Sequence, residues 1–174
     1  MFSLHVYQER RQRLKALMPE KSLAIVAAAA EVIRNRDAEY PFRQSSDFWY
    51  LTGFTEPDAV LVIGPGQPDR LFVRPKHPEQ EVWTGRRMGP DHVKHRLGID
   101  QGYPLEALDT ELKTLLAEIA WVEYPFGCQK STAIVDQAIK AKGLRSRRSD
   151  LLSHRADCGT PAQFAQPTTA ELFI

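Results

Sequence analysis

The sequence predicts an α/β fold: a single domain built on a mixed β-sheet of about five to six strands flanked by helices. Three observations carry this expectation. Apolar runs of strand length (Ser22 to Ala28, Ala59 to Ile63, Leu71 to Val73 and Trp121 to Tyr124) lie between stretches of helical period. Turn residues cluster between the runs of residues 46–74, so the connections there are of turn length. The chain of 174 residues is long enough to bury one core and short for two.

Residues 4–18 read as a helix, because Tyr7, Leu14, Leu17 and Met18 fall near one face while Glu9, Arg10, Arg11 and Arg13 fill the rest. Pro19 ends it. Ser22 to Ala28 is the first buried strand. Ala27 to Ala30 are small enough either for close packing or for the approach of backbone or ligand.

The densest stretch runs from Arg36 to Ile63. Phe48, Trp49, Tyr50 and Leu51 make Asp47 to Leu51 a β-favouring run, punctuated by Gly53. Thr55 to Asp58 is a turn in which Pro57 presets φ and Asp58 can bond its own backbone. Ala59 to Ile63 follows as an apolar strand. Gly64, Pro65 and Gly66 turn the chain toward Leu71 to Val73, giving an antiparallel meander over residues 46–74. Ahead of these strands stand Arg36, Asp37, Glu39, Arg43 and Asp47, a charge set that reads either as surface ion pairs on a solvated loop or as something more specific.

Residues 75–90 are broken by Pro75, Pro78, Gly85, Gly89 and Pro90, which leaves Trp83, with Arg86 and Arg87 beside it, on a loop or a short turn. A tryptophan so placed is unusual as core, since it needs apolar burial and a partner for its N–H. Asp91 to Leu97 is a short helix ending at Gly98. Pro104 to Ala120 is the clearest helix, with Leu105, Leu108, Leu112, Leu115, Leu116 and Ile119 on one stripe. Trp121 to Tyr124 is a further strand and Ser131 to Lys142 a further amphipathic helix. The domain is expected to span residues 1–142. Residues 143–174 lack period and are expected to be a divergent, loosely held tail.

The totals exclude several classes of function. With 43% apolar and 26% charged residues the chain is of ordinary globular composition, and a formal charge of +1 gives no global attraction to nucleic acid or acidic membranes. Arg145, Arg147 and Arg148 have no interleaved aromatics and read as a solvated cluster. No apolar run approaches the ~18 residues that cross a bilayer, and the N-terminus lacks the order of a secretory signal. No nucleic acid and no membrane are expected as partners, and the expected location is cytoplasmic. Cys128 and Cys158 have no metal-ligand spacing and are expected to be free thiols.

Hydrolytic signatures are missing: the sequence has no H-E-x-x-H, no G-x-S-x-G and no paired-cysteine zinc pattern. Asp91, His92 and His95 read as the polar face of a short helix, and His5, His77 and His154 are isolated.

One resemblance adds to this reading. The positions Asp37, Glu39, Tyr40, Phe42, Arg43, Gln44, Ser46, Asp47, Phe48, Tyr50, Thr52, Gly53, Phe54, Glu56, Pro57 and Ala59 match D-x-E-Y-x-[YF]-R-Q-x-S-D-F-x-Y-x-T-G-F-x-E-P-x-A. That motif resembles the signature of the N-terminal domain of Xaa-Pro aminopeptidases (aminopeptidase P), a creatinase/prolidase-like N-terminal domain. Glu81 to Gly89, EVWTGRRMG, resembles the family's second block, E-x-W-x-G-R-R-x-G.

The resemblance implies a non-catalytic domain that serves oligomerisation and the gating of an active site. In the family the Asp, His and Glu ligands of a Mn²⁺ pair belong to a following pita-bread metallopeptidase domain, and none of those positions exists in this chain. The implied hydrolase activity, release of an N-terminal residue before proline, is therefore not expected of this chain alone. By motif alignment Asp37 and Trp83 are the acidic residue and the tryptophan that one subunit extends to its neighbour's active-site mouth. Arg43, Arg86 and Arg87 are supporting residues, either between subunits or bonded to backbone carbonyls, Asp47 or Glu56 within the domain. The implied partners are further copies of the chain, a metallopeptidase domain and a peptide beginning Xaa-Pro. A free-standing peptide- or protein-binding module on the same fold, as in some histone chaperones, is the alternative. The divergent ending fits a truncated gene, a change of reading frame or a separate protein.

Overall fold

Leu23 to Ala28 have almost no exposed surface, because the strand they form, β1 (Ser22–Ala27), is covered on both faces. The structure is a computed structural model and describes residues 3–35, 38–76, 87–125, 128–141 and 156–157. Before β1 comes helix α1 (Leu4–Leu17), and after it a hairpin of β2 (Ile33–Asn35) and β3 (Ala38–Glu39). Helix α2 (Ser46–Thr52) and strands β4 (Val60–Ile63) and β5 (Arg70–Val73) follow. Next are a 3₁₀ turn (Pro90–His92), α3 (Val93–Leu97) and β6 (Gln101–Pro104). A second 3₁₀ turn (Leu105–Ala107) leads into α4 (Leu108–Leu115), β7 (Trp121–Glu123), α5 (Gln129–Ala141) and β8 (Ala156–Asp157).

The main sheet has the order β6-β5-β4-β1-β7-β8, and β2-β3 is a separate two-stranded sheet. β4 pairs antiparallel with β1 and with β5, whereas β7 runs parallel to β1 and β6 parallel to β5. Alternate residues of each strand feed two cores. On one face Ala24, Val26, Leu61, Ile63, Leu71 and Val73 meet Leu14 of α1, Phe48 and Leu51 of α2, and Val93 and Leu97 of α3. On the other, Leu23, Ile25, Val60, Val62 and Phe72 meet Leu108 and Leu112 of α4 and Val135 and Ala138 of α5. The helix-covered mixed sheet is the architecture expected from the sequence.

Four local expectations differ from what forms. Asp47 to Leu51 is part of helix α2 and not a strand. Phe48, Leu51 and Thr52 stand at helical spacing and are all fully buried, so periodicity and capping override the β-propensity of the aromatics. Gly53 ends the helix at φ +66°, its N–H bonding Trp49 O at 2.8 Å. A Cβ there would come within 2.6 Å of the Tyr7 ring. The expected meander over 46–74 is thus a β4–β5 hairpin preceded by a helix.

Gln101 to Pro104 forms an edge strand where the sequence suggested a loop and then a helix start. Pro104 lacks a donor, which is tolerated on an edge. Gly102 lets the 3₁₀ turn pack closely, since a Cβ would lie 2.2 Å from Pro90 O. The helix expected over 104–120 is accordingly shorter, though Leu108, Leu112 and Leu116 are buried as its stripe predicted. β2 and β3 take up part of the charged stretch that read as a loop.

The fourth difference is on α1. Leu17 is 66% exposed, whereas Arg11 has 0% exposure. The Arg11 Nε donates to Asp69 Oδ2 at 2.7 Å, Nη1 to Leu51 O at 2.8 Å and Nη2 to Gly98 O at 2.6 Å. Lys15 Nζ takes Asp69 Oδ1 at 2.7 Å, and the Asp69 N–H donates to Asp100 Oδ2 at 2.8 Å.

Replacing Arg11 with Ala leaves the Asp69 carboxylate buried with Lys15 as its remaining cation, and should lower unfolding stability in urea by about 3–5 kcal/mol. Arg11→Lys should recover little, because one ammonium cannot reach three acceptors in a planar fork. A loss below about 1 kcal/mol for Arg11→Ala would show that the network contributes only packing.

Candidate functional site

The carboxyl end of β1 is where the motif residues converge. Ala28 N–H bonds Ala59 O at 2.7 Å and Asp58 N–H bonds Ala29 O at 3.2 Å, which carries the antiparallel contact past the end of β4. Small side chains at residues 27–30 permit this approach. The Gln44 side chain then clamps three segments. Its Oε1 accepts from Ala29 N at 2.8 Å and Ser45 N at 2.9 Å, and its Nε2 donates to Phe54 O at 3.3 Å and Glu56 O at 2.9 Å. Both acceptor lone pairs and both N–H donors of the amide are thereby used.

Beside it, Asp58 sits at φ +55° in the turn after Pro57. Its carboxylate bonds cationic side chains from two other segments. It is shared between the Arg74 guanidinium and Lys130 Nζ, the latter at 2.5 Å. Arg74 also reaches Glu31 at 3.6 Å. Burial first, and then the Arg74 charge, pull the Lys130 amine below the ordinary lysine value, with Cys128 acting in the opposite sense. Ser131, buried at the start of α5, accepts the Ala27 N–H at 3.1 Å and donates to Cys128 Sγ at 3.3 Å.

Two stretches of the motif leave from this end of the sheet. Ala27 pairs with Val60 and Val60 with Phe72, so β1 and β5 both run out here. β1 leads to the β2–β3 hairpin, which brackets residues 36–37. β5 leads to Lys76, the residue before 77–86. The far side of that second stretch returns to the same place: Met88 N–H bonds Glu56 Oε1 at 2.8 Å, and a Cβ on Gly89 would lie 3.2 Å from the Lys76 Cβ.

Of the expected site residues, Asp37, Trp83 and Arg86 lie outside the described residues. Arg43 is exposed, and Arg87 is half-buried beside Met88. Glu56, one of the groups the arginines might have bonded, gives its carboxylate to the Met88 backbone. Asp47, the other, stands in the first turn of α2, where burial pushes its carboxyl above the ordinary aspartate value. His92 and His95 are exposed, as a solvated face requires.

The brace itself was not read from the sequence. Gln44 stood in the motif without a role, Glu56 was read there only as a carboxylate for the arginines to bond, and a Pro-Asp turn before an apolar strand was the one local signal for Asp58. Glu31, Arg74, Lys130 and Ser131 had none. Among the described residues no group of three or more His, Cys, Asp or Glu side chains could hold a metal ion. No described helix is long and apolar enough to cross a membrane. The arrangement is one that holds backbone in place, its charged groups engaged with one another.

A family model described as "Aminopeptidase P, N-terminal domain" matches residues 7–121. The chain is 43% identical over 114 residues to an Xaa-Pro aminopeptidase of Escherichia coli strain K12, covering 63% of this chain and 26% of that protein. It is 39% identical over 116 residues to the Xaa-Pro aminopeptidase of Haemophilus influenzae, covering 65% and 27%. Among solved structures, a variant of Escherichia coli aminopeptidase P superposes with a TM-score of 0.77 at 37% identity, over 85% of this chain and 34% of that one. The chain thus spans about a quarter of the length of the curated relatives it matches.

Gln44→Leu removes four hydrogen bonds and should cost about 2–3 kcal/mol in urea unfolding, with faster amide exchange at Ala29. Glu56→Ala should instead speed exchange at Met88 while leaving Ala29 protected; parallel changes at both amides would show a single cooperative unit. Asp47 supplies a pH dependence. Its folded pKa is raised, so the folded state binds more protons than the unfolded chain between the ordinary aspartate value and the raised one. Stability therefore falls as pH rises through that window. Asp47→Asn should remove this part of the slope in a pH series of thermal melts.

Proposed function

This chain belongs to the aminopeptidase P N-terminal domain family, and from that premise we propose that it is the non-catalytic N-terminal part of an Xaa-Pro aminopeptidase, serving oligomerisation and active-site gating. The observation that carries the proposal is the β2–β3 hairpin. It pairs with itself outside the main sheet, with Val32 59% and Tyr40 53% exposed at its base. Tyr40 N–H bonds Val32 O at 2.9 Å, and the Arg34 guanidinium lies 5.8 Å from the Tyr40 ring centroid. Apolar and aromatic surface so presented on a projecting hairpin suits contact with another protein surface.

On this reading the hairpin carries Asp37, and the stretch closed by Lys76 and Met88 carries Trp83, to the active-site mouth of a neighbouring subunit. A carboxylate there can hold a cation of the substrate or of the neighbour, and an indole can wall a prolyl ring. The brace of Gln44, Glu56 and Asp58 fixes the roots of both arms. The peptide-cleaving chemistry belongs to a metallopeptidase domain beyond this chain, where Mn²⁺ is expected. The described residues do not offer a donor set for that metal. A cytoplasmic location is part of the same proposal.

The test is solution mass by light scattering after gel filtration. The chain should self-associate, and Val32→Asp combined with Tyr40→Glu should weaken association at least about tenfold, a loss of about 1.4 kcal/mol. Trp83→Ala should weaken it as well if its loop is in the contact. An association unchanged by the hairpin pair would overturn the interface. Incubated with Mn²⁺, the chain should leave an Xaa-Pro peptide intact, and turnover would overturn the non-catalytic assignment.

A further inference from the structure

Past Ala29 the chain leaves the Gln44 clamp, and the base of the β2–β3 hairpin is tied to the main sheet by charge. Glu31, just ahead of β2, has its carboxylate 3.6 Å from Nη1 of Arg74, the first residue past β5. The other amino group of that guanidinium, Nη2, is on Asp58 Oδ2, while Lys130 Nζ of α5 holds Asp58 Oδ1 at 2.5 Å. One planar fork thus addresses two carboxylates that come from two different segments. Among the described residues, Glu31–Arg74 is the ion pair that joins the hairpin's base to the sheet. The other contacts there, Tyr40 N–H to Val32 O and the Arg34 guanidinium against the Tyr40 ring, are internal to the hairpin.

The two ends of the fork are unequal. The Asp58 side chain is 19% exposed, each of its oxygens takes a cation, and its own N–H is held by Ala29 O. The Glu31 and Arg74 side chains are 33% and 35% exposed and their contact is the longer one, so it is the weaker pair and the one that salt screens. We propose that Arg74 is a positioning residue that latches the base of the β2–β3 hairpin to the exit of β5, with Glu31 as the end that opens. When Glu31 lets go, Asp58 and Lys130 keep the guanidinium in place, so the latch recloses on the same geometry. A hairpin this short is marginal by itself, and the latch therefore sets how much of the time its base is ordered against the sheet. The latch stands on these contacts alone; its consequence for self-association rests on the interface proposed above.

The experiment compares the full chain with Glu31→Gln, Arg74→Lys and the double variant, reading amide exchange by NMR at Tyr40, which reports the hairpin base, and at Asp58, which reports the turn. In dilute solution at low salt, Glu31→Gln should speed Tyr40 exchange by about two- to fivefold, the worth of an ion pair so exposed, and leave Asp58 exchange as it was. Salt at about 1 M should bring the unaltered chain to the rate of Glu31→Gln while moving that variant little. Arg74→Lys keeps a cation for Asp58 but cannot span both carboxylates, so at Tyr40 it should match Glu31→Gln, and the double variant should go no further than either. Tyr40 exchange indifferent to Glu31→Gln, or additive effects in the double variant, would overturn the latch. So would a Glu31→Gln variant in which Asp58 speeds up in step with Tyr40. Light scattering at high concentration separates the two readings: a Glu31→Gln chain with the exchange pattern above but unaltered self-association supports the latch and counts against the hairpin interface.

Discussion

A single buried guanidinium holds the first core together. Arg11 joins α1 to the last turn of α2 through Leu51 O, to the end of α3 through Gly98 O, and to the entrance of β5 through Asp69. Each partner is an end of an element. Helices leave their last carbonyls without internal partners, and those ends carry partial negative charge. The neighbouring Arg10 caps Tyr50 O at 3.0 Å, so two consecutive arginines of α1 finish α2. Removing such a charge from water costs several kcal/mol, which excellent geometry must offset. Three short bonds plus the second cation at Lys15 supply that geometry, and they admit one placement of the three helices over the sheet.

The same logic governs the opposite end of β1, with smaller charges at stake. There a neutral amide, Gln44, and a shared carboxylate, Asp58, replace the guanidinium. Segments of irregular backbone meet where a regular ladder has ended, and each N–H or C=O needs a partner. Gln44 satisfies four such groups. Asp58, between Arg74 and Lys130, ties the exit of β5 to the start of α5. The positive φ of Asp58 is a conformation that a side chain able to bond locally tolerates better than most.

What the sequence disclosed follows from which forces have a local signature. Strands buried on both faces read as apolar runs, and Ala59 to Ile63 was recognisable at once because every residue of β4 is core. The leucine stripe of α4 was equally plain. α2 was not, since Phe48, Trp49 and Tyr50 favour strands and its helical face was visible only once Thr52 was counted as buried. Gln101 to Pro104 has no apolar pattern, because an edge strand with exposed ends needs none. Arg11 was assigned to solvent on the ordinary behaviour of arginine, and its partners lie 40 or more positions away along the chain. For the candidate site, the motif marked the stretch but not the work of its members: Gln44 and Glu56 act through backbone atoms whose proximity only the fold creates.

The contrast between root and arm bears on how the domain acts. A hairpin of three residues against two is marginal by itself in water, and β2–β3 draws no ladder from the main sheet. Its base is nevertheless placed by a strand buried on both faces and by the Gln44 clamp at Ala29. The rigid part thus ends abruptly, and beyond it apolar side chains at Val32 and Tyr40 remain in solvent, where they contribute nothing to the monomer's core. A domain evolved to stand alone would gain stability by folding such residues inward. Their exposure is what the proposed interface requires: a surface whose stabilisation comes from the protein it meets.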